Sequence, residues 1–335
     1  MKRVTVAILG ASGAVGEEML TVLQQRQLPI RLRLFASEKS AGQTRSFCGE
    51  MLTLQRVTEG CFDGCDYVLG AVSAPLARQY APIIRKAGGV FIDNSSAFRL
   101  QKDVPLVVPQ INGSDAFSHS GIVANPNCVT AIALMAVAAI ERQVGIRRII
   151  ASSYQAVSGA GAGGIAELQA QERALFAQCS AAQPRVFAHP IARNLIPCIG
   201  EVSAEGSTAE EQKLANESRK ILHRGDDLLV SCSCVRVPVL RCHSVSLCLE
   251  TMRPISAVHA RALIAAFAGC VLVDDADGCR FPMPLYAAGQ DGVLVGRVRE
   301  DAVFANGLSL FCCGDQLRKG AASNAVDILQ LLAGL

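Results

Sequence analysis

The sequence lacks a charge excess of either sign, lacks an apolar run long enough to cross a bilayer, and lacks repeats or low-complexity linkers. Its 32 Lys+Arg against 29 Asp+Glu leave a formal charge of only +3, so there is no broad basic field of the kind nucleic-acid binding uses. Every apolar stretch is broken by glycine or charge before it reaches the length of a membrane helix. The opening "MKRVTVAILGASG" starts with basic residues and an apolar run, but that run ends in a glycine-rich turn. A secretory signal would continue into a longer apolar region and a cleavage site. The expectation is a soluble cytoplasmic protein with small-molecule partners, without nucleic acid or membrane.

What is present points to two domains. A chain of 335 residues, half of them hydrophobic, exceeds one comfortable core. Its fourteen cysteines do not form the disulfide framework of a short secreted domain. Many lie in strand-like apolar runs such as "LLVSCSCVRVPV" and "LSLFCCG", where cysteine acts as a small hydrophobe. A zinc site from Cys232, Cys234, Cys242 and His243 is disfavoured, because neighbouring strand positions point to opposite faces. No metal is expected.

The first third alternates apolar runs (4–10, 30–37, 67–73, 90–95, 121–127) with helical patterns such as "AVGEEMLTVLQQRQ". This alternation predicts an α/β fold with a Rossmann-like doubly wound parallel sheet. Beyond it, longer strands follow one another (147–157, 227–239, 243–252, 270–275, 292–301), interrupted by helices near 164–180, 208–223 and 256–268. That succession predicts an α+β domain with a mixed or antiparallel sheet. The final helical pattern follows a strand and is expected to return to the first domain. The division is then 1–127 with 315–335, against 128–314.

Between the first strand and helix lies "GASGAVG", with Gly10, Gly13 and Gly16 separated by Ala11, Ser12, Ala14 and Val15. Glycines here let the backbone approach a pyrophosphate seated on a helix N-terminus. At the end of the second strand, Ser37, Lys39 and Ser40 offer hydroxyls and a cation suited to a 2′-phosphate. Glu38 opposes this if it points inward. The expected cofactor is NADP.

In "ANPNCVTAIALMAVAAI" a polar turn gives way to a long apolar helix at Cys128. A helix N-terminus lowers a thiol's pKa and can hold an oxyanion, so Cys128 is the candidate nucleophile among the fourteen. Taken alone, His243 at a strand start reads as an ordinary structural histidine.

"ILGASGAVG", "FIDNSSAFR", "ANPNC", "YQAVSGAG", "EEQK", "VRVPVLRCHS" and "DQLRKGAASNAV" occur in order from residue 8 to residue 326. Together they resemble the aspartate-semialdehyde dehydrogenase family. The resemblance implies Cys128 as nucleophile, His243 as its acid/base partner, and Gln155 as the amide that orients the acyl group. It implies Arg236 for the substrate's α-carboxylate, Glu210 for its ammonium, and Arg99 with Lys213 for phosphate. Asn127 would assist beside the nucleophile, and Ser158, Gly159 and Gln316 would lie by the cofactor. It further implies NADP-dependent reduction of L-4-aspartyl phosphate to L-aspartate 4-semialdehyde through a cysteine thioester. The pathway would lead to lysine (with diaminopimelate), threonine and methionine. The second domain would carry the interface of a homodimer or homotetramer. The alternatives are an N-acetylglutamyl-phosphate type reductase and a non-catalytic NADP-binding relative.

Three positions depart from that pattern: Cys242 replaces a glycine, Gln110 a glutamate and Gln316 an asparagine. A left-handed backbone at Cys242 would cost about 1 kcal/mol and could shift His243. Its place beside His243 also suggests a disulfide with Cys128 under oxidation.

Overall fold

The computed structural model describes residues 3–178 and 183–335, so the last residues of the helix expected at 164–180 lie outside the described residues. By internal packing the chain forms two units. One is the segment ending at Asn127 together with Ala321–Leu335, and the other is Cys128–Gly320.

In the first unit the apolar runs become strands β1 (Val4–Leu9), β2 (Ile30–Ala36), β5 (Tyr67–Gly70), β6 (Val90–Asp93) and β7 (Ile122–Ala124). They are joined by helices α1 (Ala14–Arg26), α2 (Ala74–Lys86) and the short α3 (Pro109–Asn112). An additional hairpin, β3 (Thr44–Phe47) and β4 (Glu50–Arg56), turns through Cys48 and Gly49 at φ 49° and 87°. Two left-handed residues match the right-handed twist of a hairpin. Cysteine is not a residue that signals such a turn, so the hairpin was not apparent in the sequence. The sheet order is β3-β4-β2-β1-β5-β6-β7, parallel except for the hairpin. Successive strands are laid down on either side of β1, so the glycine-rich turn leaves the sheet where its order reverses. That is where open parallel sheets hold ligands.

The C-terminal helix packs its Ala325, Val326, Ile328 and Leu329 into the same core as Met19, Leu23 and Leu34. Asp327 of this helix accepts hydrogen bonds from Arg26 at 2.6 Å and from Gln110 Nε2 at 3.1 Å. A neutral amide therefore suits position 110, since a carboxylate there would face Asp327.

The second unit begins with α4 (Cys128–Val144), which is apolar around nearly its whole circumference and correspondingly buried. It continues through β8 (Ile146–Gln155), α5 (Gly161–Phe176), α6 (Ala209–Ile221), β9 (Leu229–Arg236) and β10 (His243–Thr251). Then follow α7 (Ala257–Ala266), β11 (Cys270–Leu272), α8 (Pro284–Ala287), β12 (Val293–Asp301) and β13 (Gly307–Gly314). The sheet is mixed, in the order β11-β12-β13-β10-β8-β9. The C-terminal return was expected from residue 315, but the chain divides after Gly320. The reason is local: Asp315 accepts from Arg241 at 2.5 Å and from the Gly289 N–H at 2.7 Å, which ties 315–320 to the second unit. The last helix, α9, is then Ser323–Ala333.

Helix α6 is anchored at its start. Thr208 Oγ1 accepts the Glu211 N–H at 3.3 Å, and Glu211 Oε2 accepts the Thr208 N–H at 2.7 Å. The other carboxylate oxygen of Glu211 accepts the Cys234 N–H at 3.1 Å, joining α6 to edge strand β9. Thr208→Ala should therefore lower stability by about 1 kcal/mol, the usual value of such a cap. Urea denaturation of the two proteins checks this, and an unchanged midpoint would remove the cap's role.

Candidate active site

The centre of the second unit's site is a matter of strand register. Gln155 at the end of β8 is paired with Arg236 of β9 on one side and His243 of β10 on the other. His243 is in turn opposite Gly314 of β13. Residues directly opposite in paired strands share a face, so Arg236, Gln155 and His243 form one row. Helix α4 covers that face: a Cβ on Gly314 would meet Ile132 Cγ1 at 2.9 Å. Cys128 lies one helical turn before Ile132 and so looks the same way. A Cβ on Gly320 would come within 2.7 Å of Cys128 Cβ, so the backbone at Gly320 closes against the thiol-bearing residue. Cys128 is half-buried, whereas His243 is fully enclosed.

Ala156 and Gly159 complete the row from above. The Ala156 N–H donates to His243 Nδ1 at 3.1 Å, and its carbonyl accepts from Arg236 Nη1 at 2.7 Å. A Cβ on Gly159 would lie 2.6 Å from Arg236 Nη1 and 3.3 Å from His243 Nε2. Arg236 also stands over the Phe187 ring, at 5.8 Å from its centroid. From α6, Glu210 accepts from Lys213 Nζ at 2.8 Å and from Gln155 Nε2 at 3.5 Å. Helical spacing of three thus puts Glu210 and Lys213 on one face beside the row.

The protonation of His243 follows from these contacts. Because Nδ1 accepts a backbone N–H, the neutral ring carries its proton on Nε2. Nε2 is buried and has no hydrogen-bond partner. Burial, with the positive Arg236 second, pushes the imidazole down to about 3, while Glu210 acts in the opposite sense. The ring is a neutral donor near pH 7 rather than an imidazolium paired with a thiolate.

Cys242 has the left-handed backbone, at φ 80°. Its thiol approaches the Pro284 carbonyl at 3.7 Å and lines a cavity with Ser244, Ser246 and Phe311. That is the sheet face opposite His243, Val245 and Leu247, so a disulfide with Cys128 is ruled out by a sheet's thickness. Cys232 and Cys234 do share one face of β9, with their sulfurs 3.7 Å apart. Among the described residues no group of three or more His, Cys, Asp or Glu could hold a metal ion. Ser158 and Gln316 are buried and bonded to each other through Oγ and Nε2.

The remaining candidates belong to the first unit. Gly10 has φ 91°, and a Cβ there would stand 2.4 Å from the Ala71 carbonyl oxygen. A Cβ on Gly16 would stand 2.2 Å from the Gly10 oxygen. Both glycines are required by the turn itself. Gly13 is different: a Cβ there would meet only the Gly10 oxygen, at an ordinary 3.5 Å. Exposed at the N-terminus of α1 without a side-chain cap, it leaves room that the fold does not need and that a phosphate would use. Ser37, Glu38 and Lys39 are exposed, with Ser40 half-buried in the turn after β2. Glu38 is paired with Arg56 at 2.8 Å, which engages the carboxylate that opposed a 2′-phosphate. Arg99 is buried and donates to the carbonyls of Asn125 at 2.9 Å and Asn94 at 2.7 Å. Asn127 ends this unit.

Residues 5–119 match the family model for the semialdehyde dehydrogenase NAD binding domain, and residues 137–319 match that for the semialdehyde dehydrogenase dimerisation domain. This chain belongs to the semialdehyde dehydrogenase family. An aspartate-semialdehyde dehydrogenase of Synechocystis is 45% identical over 98% of the chain and 97% of its own length. One from Aquifex aeolicus is 43% identical over the same shares. The crystal structure of aspartate semialdehyde dehydrogenase II from Vibrio cholerae, complexed with ASA, has a TM-score of 0.96 at 41% identity. It covers 100% of this chain and 99% of that one.

Ala156 and Gly320 were not picked out from the sequence. Ala156 acts through backbone atoms only, which leave no side-chain signature, and Gly320 through its lack of a side chain.

Two outcomes follow from this geometry. Gly159→Ala should displace Arg236 or His243 and lower kcat/KM by about 10²-fold, as sub-ångström-to-ångström misplacements do; steady-state rates near wild type would mean that the row yields without harm. For His243, the unfolded chain takes up a proton below about pH 6.5 that the folded chain refuses until about 3. Stability contributed by the neutral ring is therefore lost as pH falls through that window, by up to about 1.4 kcal/mol per unit. The urea midpoint of His243→Gln should fall less steeply than that of wild type on acidification.

Proposed function

We infer that the chain catalyses the reversible, NADP-dependent reduction of L-4-aspartyl phosphate to L-aspartate 4-semialdehyde with release of phosphate. The observation that carries this reading is the row of Arg236, Gln155 and His243 with Glu210 beside it. Arg236 takes the substrate's α-carboxylate in a planar, two-pronged contact. Glu210 takes the α-ammonium, so the pair reads both ends of a free α-amino acid. An N-acetylated substrate has no ammonium for Glu210, which disfavours the N-acetylglutamyl-phosphate type of reductase.

In the reductive direction the Cys128 thiolate attacks the acyl carbonyl, the carbon–oxygen bond to phosphate breaks with phosphate leaving, and a thioester remains on Cys128. Gln155 orients the acyl group without titrating. Arg99 and Lys213 serve the departing phosphate, and Asn127 assists beside the nucleophile. When bound, the nicotinamide cofactor supplies the hydride. Its diphosphate is assigned to the turn from Gly10 to Gly16, its 2′-phosphate to Ser37, Lys39 and Ser40. His243, with its proton on Nε2, donates a hydrogen bond to the oxygen of the tetrahedral adduct, which collapses to the aldehyde as the Cys128 thiolate leaves.

A homodimer, or a pair of them, is the assembly we assign, supported by the match to a dimerisation domain. The cytoplasm is the compartment we assign: many of the fourteen cysteines lie in apolar strand runs as small hydrophobes rather than in a disulfide framework, as suits a reducing compartment. No helix among the described residues is long and apolar enough to cross a membrane. The product would feed the aspartate-derived amino acids lysine (with diaminopimelate), threonine and methionine.

The test is NADPH formation from aspartate semialdehyde, NADP⁺ and phosphate, in wild type and Cys128→Ser. Turnover should require phosphate and fall about 10³-fold or more in the variant. Preferential use of N-acetylglutamate semialdehyde, or turnover indifferent to phosphate, would reverse the assignment.

A further inference from the structure

His243 is delivered to the row by the two residues before it, and both are gripped by consecutive residues of another segment. Arg241 Nε donates to Asp315 Oδ2 at 2.5 Å, and the Cys242 N–H donates to Gln316 Oε1 at 2.7 Å. Asp315 is itself fully buried and accepts the Gly289 and Leu317 N–H groups at 2.7 and 3.0 Å. The other end of the Gln316 amide donates to Ser158 Oγ, one residue before the Gly159 that packs on Arg236 and His243. Both polar atoms of Gln316 are thus engaged inside the protein, and the side chain is 3% exposed.

This grip matters because of the backbone at Cys242. A φ of 80° suits glycine and opposes any residue with a Cβ. Left to itself, the peptide would rotate towards negative φ and change the direction in which His243 enters β10. The thiol does not prevent this alone, since it sits among Ala287, Leu294 and Cys313 on the opposite sheet face. The bond that resists the rotation is the one from the Cys242 N–H to Gln316.

We propose that Gln316 is a positioning residue for His243: its amide clasps the left-handed peptide at Cys242 and ties it to Ser158, so that His243 enters the row with Nε2 facing the reacting atoms. A side chain one methylene shorter, as in asparagine, cannot span both partners. The kinetic part of the test rests on the reaction proposed above, and the spectroscopic part does not.

The experiment compares Gln316→Met, which keeps size and removes both hydrogen bonds, with Gln316→Asn, each in wild type and in a Cys242→Gly background. In wild type, kcat should fall roughly 10- to 100-fold with KM for NADP⁺ changed less than about 2-fold. In the Cys242→Gly background, where φ 80° carries no strain, the loss should shrink to below about 5-fold. Histidine ¹⁵N spectra of the full-length protein should show an unprotonated Nδ1 and a protonated Nε2 for His243 in wild type, and averaging of the two in Gln316→Met. A raised KM for NADP⁺ with kcat retained would overturn the proposal in favour of a cofactor contact. Equal losses in both backgrounds with an unchanged tautomer would reduce Gln316 to a packing residue. Should Gln316→Met not fold, the same criteria apply to Gln316→Asn. Should wild type show no turnover, the reaction assignment fails and the nitrogen spectra alone decide the clasp.

Discussion

The register of three strands is the constraint on which the site depends. Gln155 pairs with Arg236 through a parallel ladder and with His243 through an antiparallel one. Because side chains alternate faces along a strand, a slip of one residue in either ladder would turn a partner to the far side of the sheet. The guanidinium, amide and imidazole therefore keep their order as long as the backbone pairing does. Ala156 reinforces this with backbone atoms alone, its N–H held by His243 and its carbonyl by Arg236.

Electrostatics then decides what the row can do. Arg236 is buried against His243, and its charge adds to burial in keeping the imidazole neutral. A neutral ring whose Nδ1 already accepts a hydrogen bond has one donor left, and that donor faces the site. Glu210 balances the local charge: it engages Lys213 and Gln155 while easing the pressure on His243. The same residues that would read a substrate thus also set the protonation of the group that would act on it.

Glycine serves two purposes around the sites of this chain. Gly10 and Gly16 close the turn after β1, where a side chain would strike backbone oxygen. Gly159, Gly314 and Gly320 let backbone and helix approach the row and Cys128. Gly13 serves neither purpose: a Cβ there would meet only the Gly10 oxygen, at an ordinary 3.5 Å. Cys242 is the reverse case, a residue with a side chain where the backbone asks for none.

The alternation of apolar strands and helical repeats determined the parallel first sheet and the mixed second one, because periodicity reports which faces are buried. Its place at a helix start picked out Cys128, whereas Gln155, Arg236 and His243 became candidates through the resemblance that the ordered motifs carry; taken alone, His243 read as structural. Tertiary structure decided what local pattern does not encode. It placed β9 and β10 on opposite sides of β8, although they are neighbours in sequence. It turned the Cys242 thiol away from Cys128, engaged Glu38 with Arg56, and kept Asp315 to Gly320 in the second unit. It also chose the tautomer of His243 and gave Gln316 two protein partners. These outcomes depend on contacts between residues far apart in the chain, whose geometry exists only once the sheet is paired.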